Sequence, residues 1–156
     1  MGTDVKYFHS GMAGAPVLSG IAGALKAVLD ACLVDGWANN VVDSLVISGG
    51  IATVTRAAGH PFEAGVVAII ADATTSGGSV NGGQRVLSHS ATTYTFATTL
   101  PNQIAGGVIT HKVAPLGFEL AYSGTNLSAY RSPNLDGTRC YLRLDDTGTT
   151  NARVVG

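Results

Sequence analysis

Asp145 and Asp146 are adjacent carboxylates, the residue type that could support acid–base chemistry. General acid–base catalysis needs two carboxyl groups that face one substrate and differ in environment. Adjacent residues on a strand point to opposite faces, so these two side chains would not converge on one ligand. Thr147 and Gly148 follow, and an aspartate in such a sequence accepts a hydrogen bond from the backbone two residues further on. We therefore predict a hairpin corner here.

The four histidines, His9, His60, His89 and His111, do not have the spacing of a metal site. Pro61 restricts His60 to an extended conformation, which predicts a structural turn there. His89 and His111 lie on predicted strands, where a zinc or nickel site built across strands remains an open alternative.

The remaining motifs do not match catalytic or phosphate-binding sites. Ser10 and Ser123 lack the GxSxG sequence of a nucleophile elbow. The glycine-rich run GGSVNGG lacks the lysine and following helix of a P-loop, and Asp136-Gly137 is an isolated turn rather than a calcium loop. We therefore predict that the protein is not an enzyme, with no catalytic residue, no metal and no cofactor.

The composition indicates either a surface rich in uncharged Thr, Ser, Asn and Gly or a surface that other subunits cover, and we favour the second. Apolar residues make up 46% of the 156-residue chain and charged residues 12%, about half the share usual in globular domains. The formal net charge is −1 and the nine basic residues are scattered, which argues against nucleic acid as a partner. The start, MGTDVKYFHSG, lacks the apolar region of a signal peptide, and nothing approaches the ~18 apolar residues of a membrane span.

Two cysteines, Cys32 and Cys140, lie far apart and form no CxxC motif. We predict two small buried thiols in a protein made in a reducing cytoplasm, with a disulfide between them left open.

The N-terminal part predicts an irregular arm over residues 1–18 and one amphipathic helix over 20–34. Ser19 is a suitable N-cap and Gly36 a C-terminal stop. The helix has one apolar stripe, made of Ile21, Leu25, Val28, Leu29, Cys32 and Leu33.

From Val42 onward the apolar period changes to two, which predicts short strands joined by turns. The predicted strands of this part are SLVIS, IATVTR, VVAIIA, QRVLSH, TYTFA and GVITHKV. Gly49-Gly50 predicts a tight hairpin, and the segment from Phe118 to Gly137 is predicted to be rich in loops. Two last strands are predicted within TRCYLRLD and TNARVVG.

We thus predict a mainly β fold with one N-terminal amphipathic helix. A small β-barrel or sandwich module, residues 43–114, is inserted in an α+β framework of residues 1–42 and 115–156. The framework holds the arm, the helix and a terminal hairpin.

Four segments resemble a family of tailed-bacteriophage virion proteins, most of them functionally uncharacterised: VKYFHSGMAGAPVLSG, GALKAVLDACLVDG, YSGTNLSAYRS and TRCYLRLDDTGTTNARVVG. The middle of the chain is similar to a small β-module that is frequent in phage proteins. Family members continue past the ARVVG motif, so we expect a short version, a processed product or a partial chain.

The resemblance implies a non-enzymatic virion component, assembled in the host bacterial cytoplasm, whose partners are other virion proteins and copies of itself. A place at the tail, baseplate or adsorption apparatus is favoured. The alternatives are a capsid decoration or cement protein and, third, a module that binds host-surface glycans. We expect Arg153–Gly156 to form an ordered strand whose edge is covered, either by the sheet of this chain or by a neighbouring subunit. The interface candidates are Tyr7, Phe8, His9, Met12, Pro16, Arg153, Val154 and Val155.

Overall fold

A computed structural model describes residues 5–134, 140–149 and 151–156. Strands hold 40% of the residues and helices 8%, and the strands form several antiparallel sheets, so the predicted mainly β class is confirmed. The chain divides into two compact units. Unit 1 comprises residues up to 15 and residues 38–114, and unit 2 comprises residues 16–37 and 115–156. The arm, predicted over residues 1–18 as part of the framework, is therefore divided: residues 5–15 belong to the unit that contains the β-module, and residues 16–18 belong to unit 2.

Unit 1 contains two antiparallel sheets. The five-stranded sheet has the order β6-β7-β3-β2-β8, and the four-stranded sheet has the order β1-β9-β4-β5. Their strands are β1 (Trp37–Val41), β2 (Ser44–Ser48), β3 (Ile51–Thr55), β4 (Val67–Ala71), β5 (Gly82–Arg85), β6 (Ser88–His89), β7 (Thr93–Ala97), β8 (Gln103–Ile104) and β9 (Thr110–Val113).

Alternating burial explains the five-stranded sheet. Leu45 and Ile47 of β2 are buried, whereas Val46 between them is exposed, as a strand with one solvated face requires. Gly49 and Gly50 turn the chain into β3 with positive φ angles of 59° and 80°, so the predicted tight hairpin is confirmed.

The two sheets of unit 1 meet through aromatic side chains. Phe62 packs against Tyr94 of β7 and His111 of β9, with ring centroids 4.6 Å and 4.9 Å apart. In the described residues neither sheet closes on itself, so the module is a sandwich rather than a barrel.

Unit 2 contains one short helical segment and a four-stranded antiparallel sheet. Helix α1 (Ala24–Leu29) continues directly into a π-helix (Asp30–Asp35), and Gly36 ends it as expected. The sheet has the order β10-β11-β12-β13, with strands β10 (Glu119–Gly124), β11 (Leu127–Arg131), β12 (Tyr141–Asp145) and β13 (Arg153–Val155). Leu33, Tyr130 and Leu144 form the centre of its core.

The helix begins later than the predicted residue 20. Gly23 has a φ angle of 87°, which lies outside the helical region, and Ile21 is exposed before the first turn. A β-carbon on Gly23 would lie 2.4 Å from Oδ1 of Asn126, so only glycine fits at this position.

The predicted loop-rich segment instead contains the hairpin of β10 and β11. All of β10 except Gly124 is exposed, so its sequence carries no alternation between apolar and polar residues. Strands β1 and β8 were missed as well, because the two adjacent asparagines of β1 break the alternation of apolar and polar residues and β8 has only two residues. Within the described residues, no helix has the length and apolar character needed to cross a membrane.

Candidate functional site

Asp145 lies at the exposed end of β12 and organises the turn after it. Its Oδ1 accepts hydrogen bonds from the backbone N–H of Thr147 at 3.2 Å and from the Thr147 hydroxyl at 2.7 Å. The hydroxyl bond is the main reason why the pKa of Asp145 is lowered, with the backbone N–H and the charge of Arg153 contributing less. The predicted turn chemistry is confirmed.

Asp146 points the other way and caps α1. It is 4% exposed, and its Oδ2 accepts from the backbone N–H of Lys26, in the first helical turn, at 3.0 Å. Its carbonyl accepts from the N–H of Gly23 and its own N–H donates to the carbonyl of Asn126, each at 2.9 Å. Our expectation that Ser19 is the N-cap is therefore wrong, because a residue distant in sequence satisfies the first turn.

The partly buried polar groups around Asp30 stabilise the fold of unit 2 as well. Its carboxylate accepts from the ammonium of Lys26 at 2.5 Å and from the hydroxyl of Tyr130 at 2.6 Å. Burial, followed by the hydrogen bond to Asp30, raises the pKa of Tyr130. These contacts attach the helical segment to the sheet of unit 2.

His60 and His111 belong to the sandwich core. Nδ1 of His60 accepts from the N–H of Phe62 at 3.2 Å, which is the structural turn that we predicted. His111 is 1% exposed, its Nδ1 lies 3.1 Å from the hydroxyl of Tyr94, and its Nε2 has no hydrogen-bond partner. Burial is the main cause that lowers its pKa to about 4, and the positive charges of Arg56 and His60 add to this.

The structure does not bring the histidines together as a metal site. His89 is exposed on β6, whereas His111 is buried on β9 in the other sheet. His9 pairs with Glu63 at 3.2 Å. Among the described residues, no three His, Cys, Asp or Glu side chains cluster closely enough to hold a metal ion.

Both cysteines are free thiols. Cys32 is half-buried, and burial raises its pKa. Cys140 is exposed because it precedes β12, outside the paired part of the strand, so the expectation that both thiols are buried is wrong. The Asp136-Gly137 turn lies outside the described residues.

The arm lies on its own unit. Tyr7 donates from its hydroxyl to the carbonyl of Ala64 at 2.8 Å, and Arg85 donates to the carbonyl of Val5 at 2.6 Å. Met12 is only 3% exposed, so it is a core residue and our proposal of it as an interface residue is wrong. Tyr7 and His9 keep exposed surface, and Phe8 and Pro16 are half-buried.

Strand β13 is ordered and pairs antiparallel with β12 along one edge. Within the described chain, the other edge pairs with no strand. Val154 is 48% exposed and Val155 40% exposed, and Arg153 is exposed as well. The candidates at this end of the chain thus lie on an open sheet edge that presents large apolar side chains.

The register of unit 2 gives its sheet one solvent-exposed face, which we call the outer face. Residues that pair across the strands share a face. The outer face therefore carries Glu119, Tyr122 and Gly124 of β10, Leu127, Ala129 and Arg131 of β11, Tyr141, Arg143 and Asp145 of β12, and Arg153 and Val155 of β13.

A hollow of about 620 Å³ lies on the outer face. Its lining includes a row that runs Tyr122, Ala129, Arg143 and Val155 across the four strands, together with Asp145 and Arg153. The small side chain of Ala129 leaves space between a tyrosine and an arginine. The ring of Tyr122 lies over Gly124, since a β-carbon there would be 2.9 Å from its hydroxyl and 3.4 Å from ring carbons.

The charges of the outer face do not balance. Arg131 pairs with Glu119 and lies 5.7 Å from the ring centroid of Tyr141, and Arg153 is opposite Asp145 in the register. In the part of the chain that the structure describes, no hydrogen bond or ion pair holds the guanidinium of Arg143. The face thus has one unmatched positive charge beside the hollow.

Sequence reasoning missed Tyr122, Ala129 and Arg143. Strand β10 was predicted as loop, so nothing placed Tyr122 on the same face as a residue of β12. In β11 the buried residues Ser128 and Tyr130 alternate with the less buried Leu127 and Ala129, and this alternation could have predicted a strand. The buried residue Ser128 is polar, so the sequence does not show the usual alternation of apolar and polar residues.

Comparison of the chain with protein-family models, with curated proteins and with solved structures found no match.

Proposed function

We propose that this protein is a structural component of a bacteriophage virion and acts by protein–protein assembly, with a place at the tail, baseplate or adsorption apparatus favoured. The observation that carries the proposal is the open edge of β13, with its exposed valines. An unpaired edge with apolar side chains is a template for strand addition, which proteins use for assembly when they do not protect the edge. The four segments that resemble virion proteins support the phage setting.

A second surface of unit 2 complements the edge. Val17, Leu18 and Ile21 are 76%, 65% and 67% exposed and form what we call the apolar segment, residues 17–21. Exposed apolar surface of this kind marks an interaction site. We propose that the apolar segment of one copy adds to the β13 edge of the next copy. Such a contact is heterologous, so it closes into rings or extends along a stack of subunits.

Complementing variants test this contact. Val154→Lys damages the edge and Leu18→Lys damages the apolar segment, while Val108→Lys places the same charge at an exposed valine of unit 1. Light scattering and native mass spectrometry over a range of concentrations should show assembly of the wild type and of Val108→Lys, and monomers for the other two.

Mixing the two deficient variants gives the sharper result. Val154→Lys retains an intact apolar segment and Leu18→Lys retains an intact β13 edge. Together they should therefore form a dimer and nothing larger. Edge-to-edge pairing of β13 predicts instead that Leu18→Lys still dimerises alone, and this outcome would exclude the proposed contact. A wild type that stays monomeric at all concentrations would exclude self-assembly.

The position in the particle is a separate measurement. A cryo-EM map of the intact virion, with the copy number from quantitative mass spectrometry, distinguishes tail from capsid. A low copy number matching tail symmetry supports the favoured location, and one that matches the capsid lattice supports the decoration alternative.

A further inference from the structure

We propose that the hollow on the outer face of unit 2 binds a carboxylated saccharide, with its carboxylate on Arg143 and a sugar ring on Tyr122. The inference goes beyond assembly, because it concerns side chains that project from the outer face rather than the backbone edge of β13. Arg153 and Val155 of β13 also line the hollow.

The size and lining of the hollow suit a small polar ligand. Its volume of about 620 Å³ falls in the range of about 300–1,000 Å³ typical of small-molecule sites. Tyr122 is 58% exposed, and its ring lies over Gly124, so it offers an apolar surface with a polar hydroxyl at its end. Sugar rings have apolar C–H faces and polar rims, which match this combination.

The charge indicates an acidic ligand. Asp145 also lines the hollow, but Arg153 lies opposite it in the register and its charge acts on Asp145. Arg131 pairs with Glu119, whereas Arg143 has no hydrogen-bond or ion-pair partner among the described residues. A guanidinium binds a carboxylate through two parallel hydrogen bonds, a geometry that a saccharide carboxylate at the rim of the hollow can meet.

The position of the hollow favours a saccharide over an acidic peptide. An extended peptide binds a sheet through free backbone groups at an edge. Ala129 and Arg143 lie on β11 and β12, each of which has neighbouring strands on both sides. Their backbone groups are used within the sheet, so the ligand must be recognised through side chains that project from the face.

Titration of the ¹⁵N-labelled protein followed by NMR tests the proposal. The acidic probes are a tetrasaccharide of 1,4-linked galacturonic acid and sialyllactose, and their neutral controls are maltotetraose and lactose. We expect at least one acidic probe to bind, with shifts at the amides of Tyr122, Ala129 and Arg143, and at least about tenfold weaker binding of its neutral counterpart.

Variants identify the groups that carry the affinity. Arg143→Gln and Tyr122→Ala should each weaken binding about tenfold or more, whereas the distant Lys6→Gln should bind like the wild type. Tyr122→Phe keeps the ring and loses only the hydroxyl, so it should weaken binding less than Tyr122→Ala. Gly124→Ala should also weaken binding, because the new methyl group displaces the Tyr122 ring. Spectra of each variant without ligand establish that it is folded.

Three outcomes would overturn the proposal. These are no binding of either acidic saccharide, equal binding of acidic and neutral sugars, and equal binding of hexaglutamate, which would make the site an acidic-peptide site. Competition by inorganic phosphate that removes all saccharide binding, with no effect of Tyr122→Ala, would reduce it to a general anion site. Arg143→Gln leaves the β13 edge and the apolar segment intact, so failure here would leave the assembly result unchanged.

Discussion

Acidification should destabilise unit 1 through His111. The imidazole is buried between the two sheets with Phe62 and Tyr94 against it, and the groups that repel its protonation are Arg56 and His60. Its pKa is lowered to about 4 in the folded protein, against about 6.5 in an exposed histidine. The unfolded chain therefore takes up a proton that the folded ring does not, as the pH falls through this window.

The magnitude follows from the two pKa values. Above pH 7 the ring is neutral in both states and makes no difference to the free energy of unfolding. At pH 5 the unfolded histidine is mostly protonated and the folded one mostly neutral, which lowers the free energy of unfolding by about 2 kcal/mol. The loss grows to about 3 kcal/mol at pH 4. Burial lowers the pKa of His60 as well, which adds a loss of the same sign.

A variant without the ionisable ring isolates this effect. Replacing both His111 and Tyr94 by Phe removes both hydrogen-bonding partners, so that no buried hydroxyl is left unpaired. Urea unfolding, followed by the NMR signals of β4 and β9, gives the free energy of unfolding of unit 1 at pH 7.5 and pH 5. The wild type should lose about 2 kcal/mol more than the variant over this interval.

The matched control is His89→Gln, which changes an exposed histidine of the same unit. Between pH 7.5 and pH 5 this variant should lose as much free energy of unfolding as the wild type. If the His111/Tyr94 double variant lost as much stability as the wild type, the acid sensitivity would come from other groups and the reasoning from burial would be refuted.

Two further predictions concern the backbone. Asp146→Ala should lower the free energy of unfolding of unit 2 by about 1–2 kcal/mol, because the first turn of α1 loses its cap. Urea titrations measure this loss. The control is Asp145→Ala, which changes the exposed neighbour and should lower the free energy of unfolding by less than half as much. Gly107→Ala should cost about 2–4 kcal/mol, since its β-carbon would lie 2.1 Å from the carbonyl oxygen of Asp72. The control is Gly82→Ala, because Gly82 has a similar positive φ angle but open space around it. An equal loss of thermal stability in the two variants would contradict the steric clash with Asp72 as the cause.

The strands of unit 1 could be predicted where one face is buried. The inward residues of β2, β3 and β7 must be apolar to fill the sandwich core, and their outward neighbours are free to be polar. The period of two in SLVIS, IATVTR and TYTFA is the direct result. The segment QRVLSH was less regular, and it holds parts of two short strands rather than one.

The helix boundaries and the sheet of unit 2 were harder to predict. Ser19 has the right side chain for a cap, but the cap comes from Asp146, a residue that only the folded chain brings near. Gly23 and Asn126 meet in the same way, from opposite ends of the sequence. Such contacts cannot be predicted from neighbouring residues in the sequence, because the group that accepts the hydrogen bond of the first turn lies far away along the chain.

The adjacent aspartates show why the candidate site escaped the sequence analysis. The alternation that sends Asp146 inward to the helix sends Asp145 outward, to the face that carries Arg143 and Arg153. Burial restricts Asp146 to one structural role, the cap of α1, which is not a catalytic role. The outward face has no packing requirement, so its residues follow no period, and their proximity comes only from the register of four strands. A functional surface built on such a face is found from the fold, and its test is whether Arg143 and Tyr122 act together on one ligand.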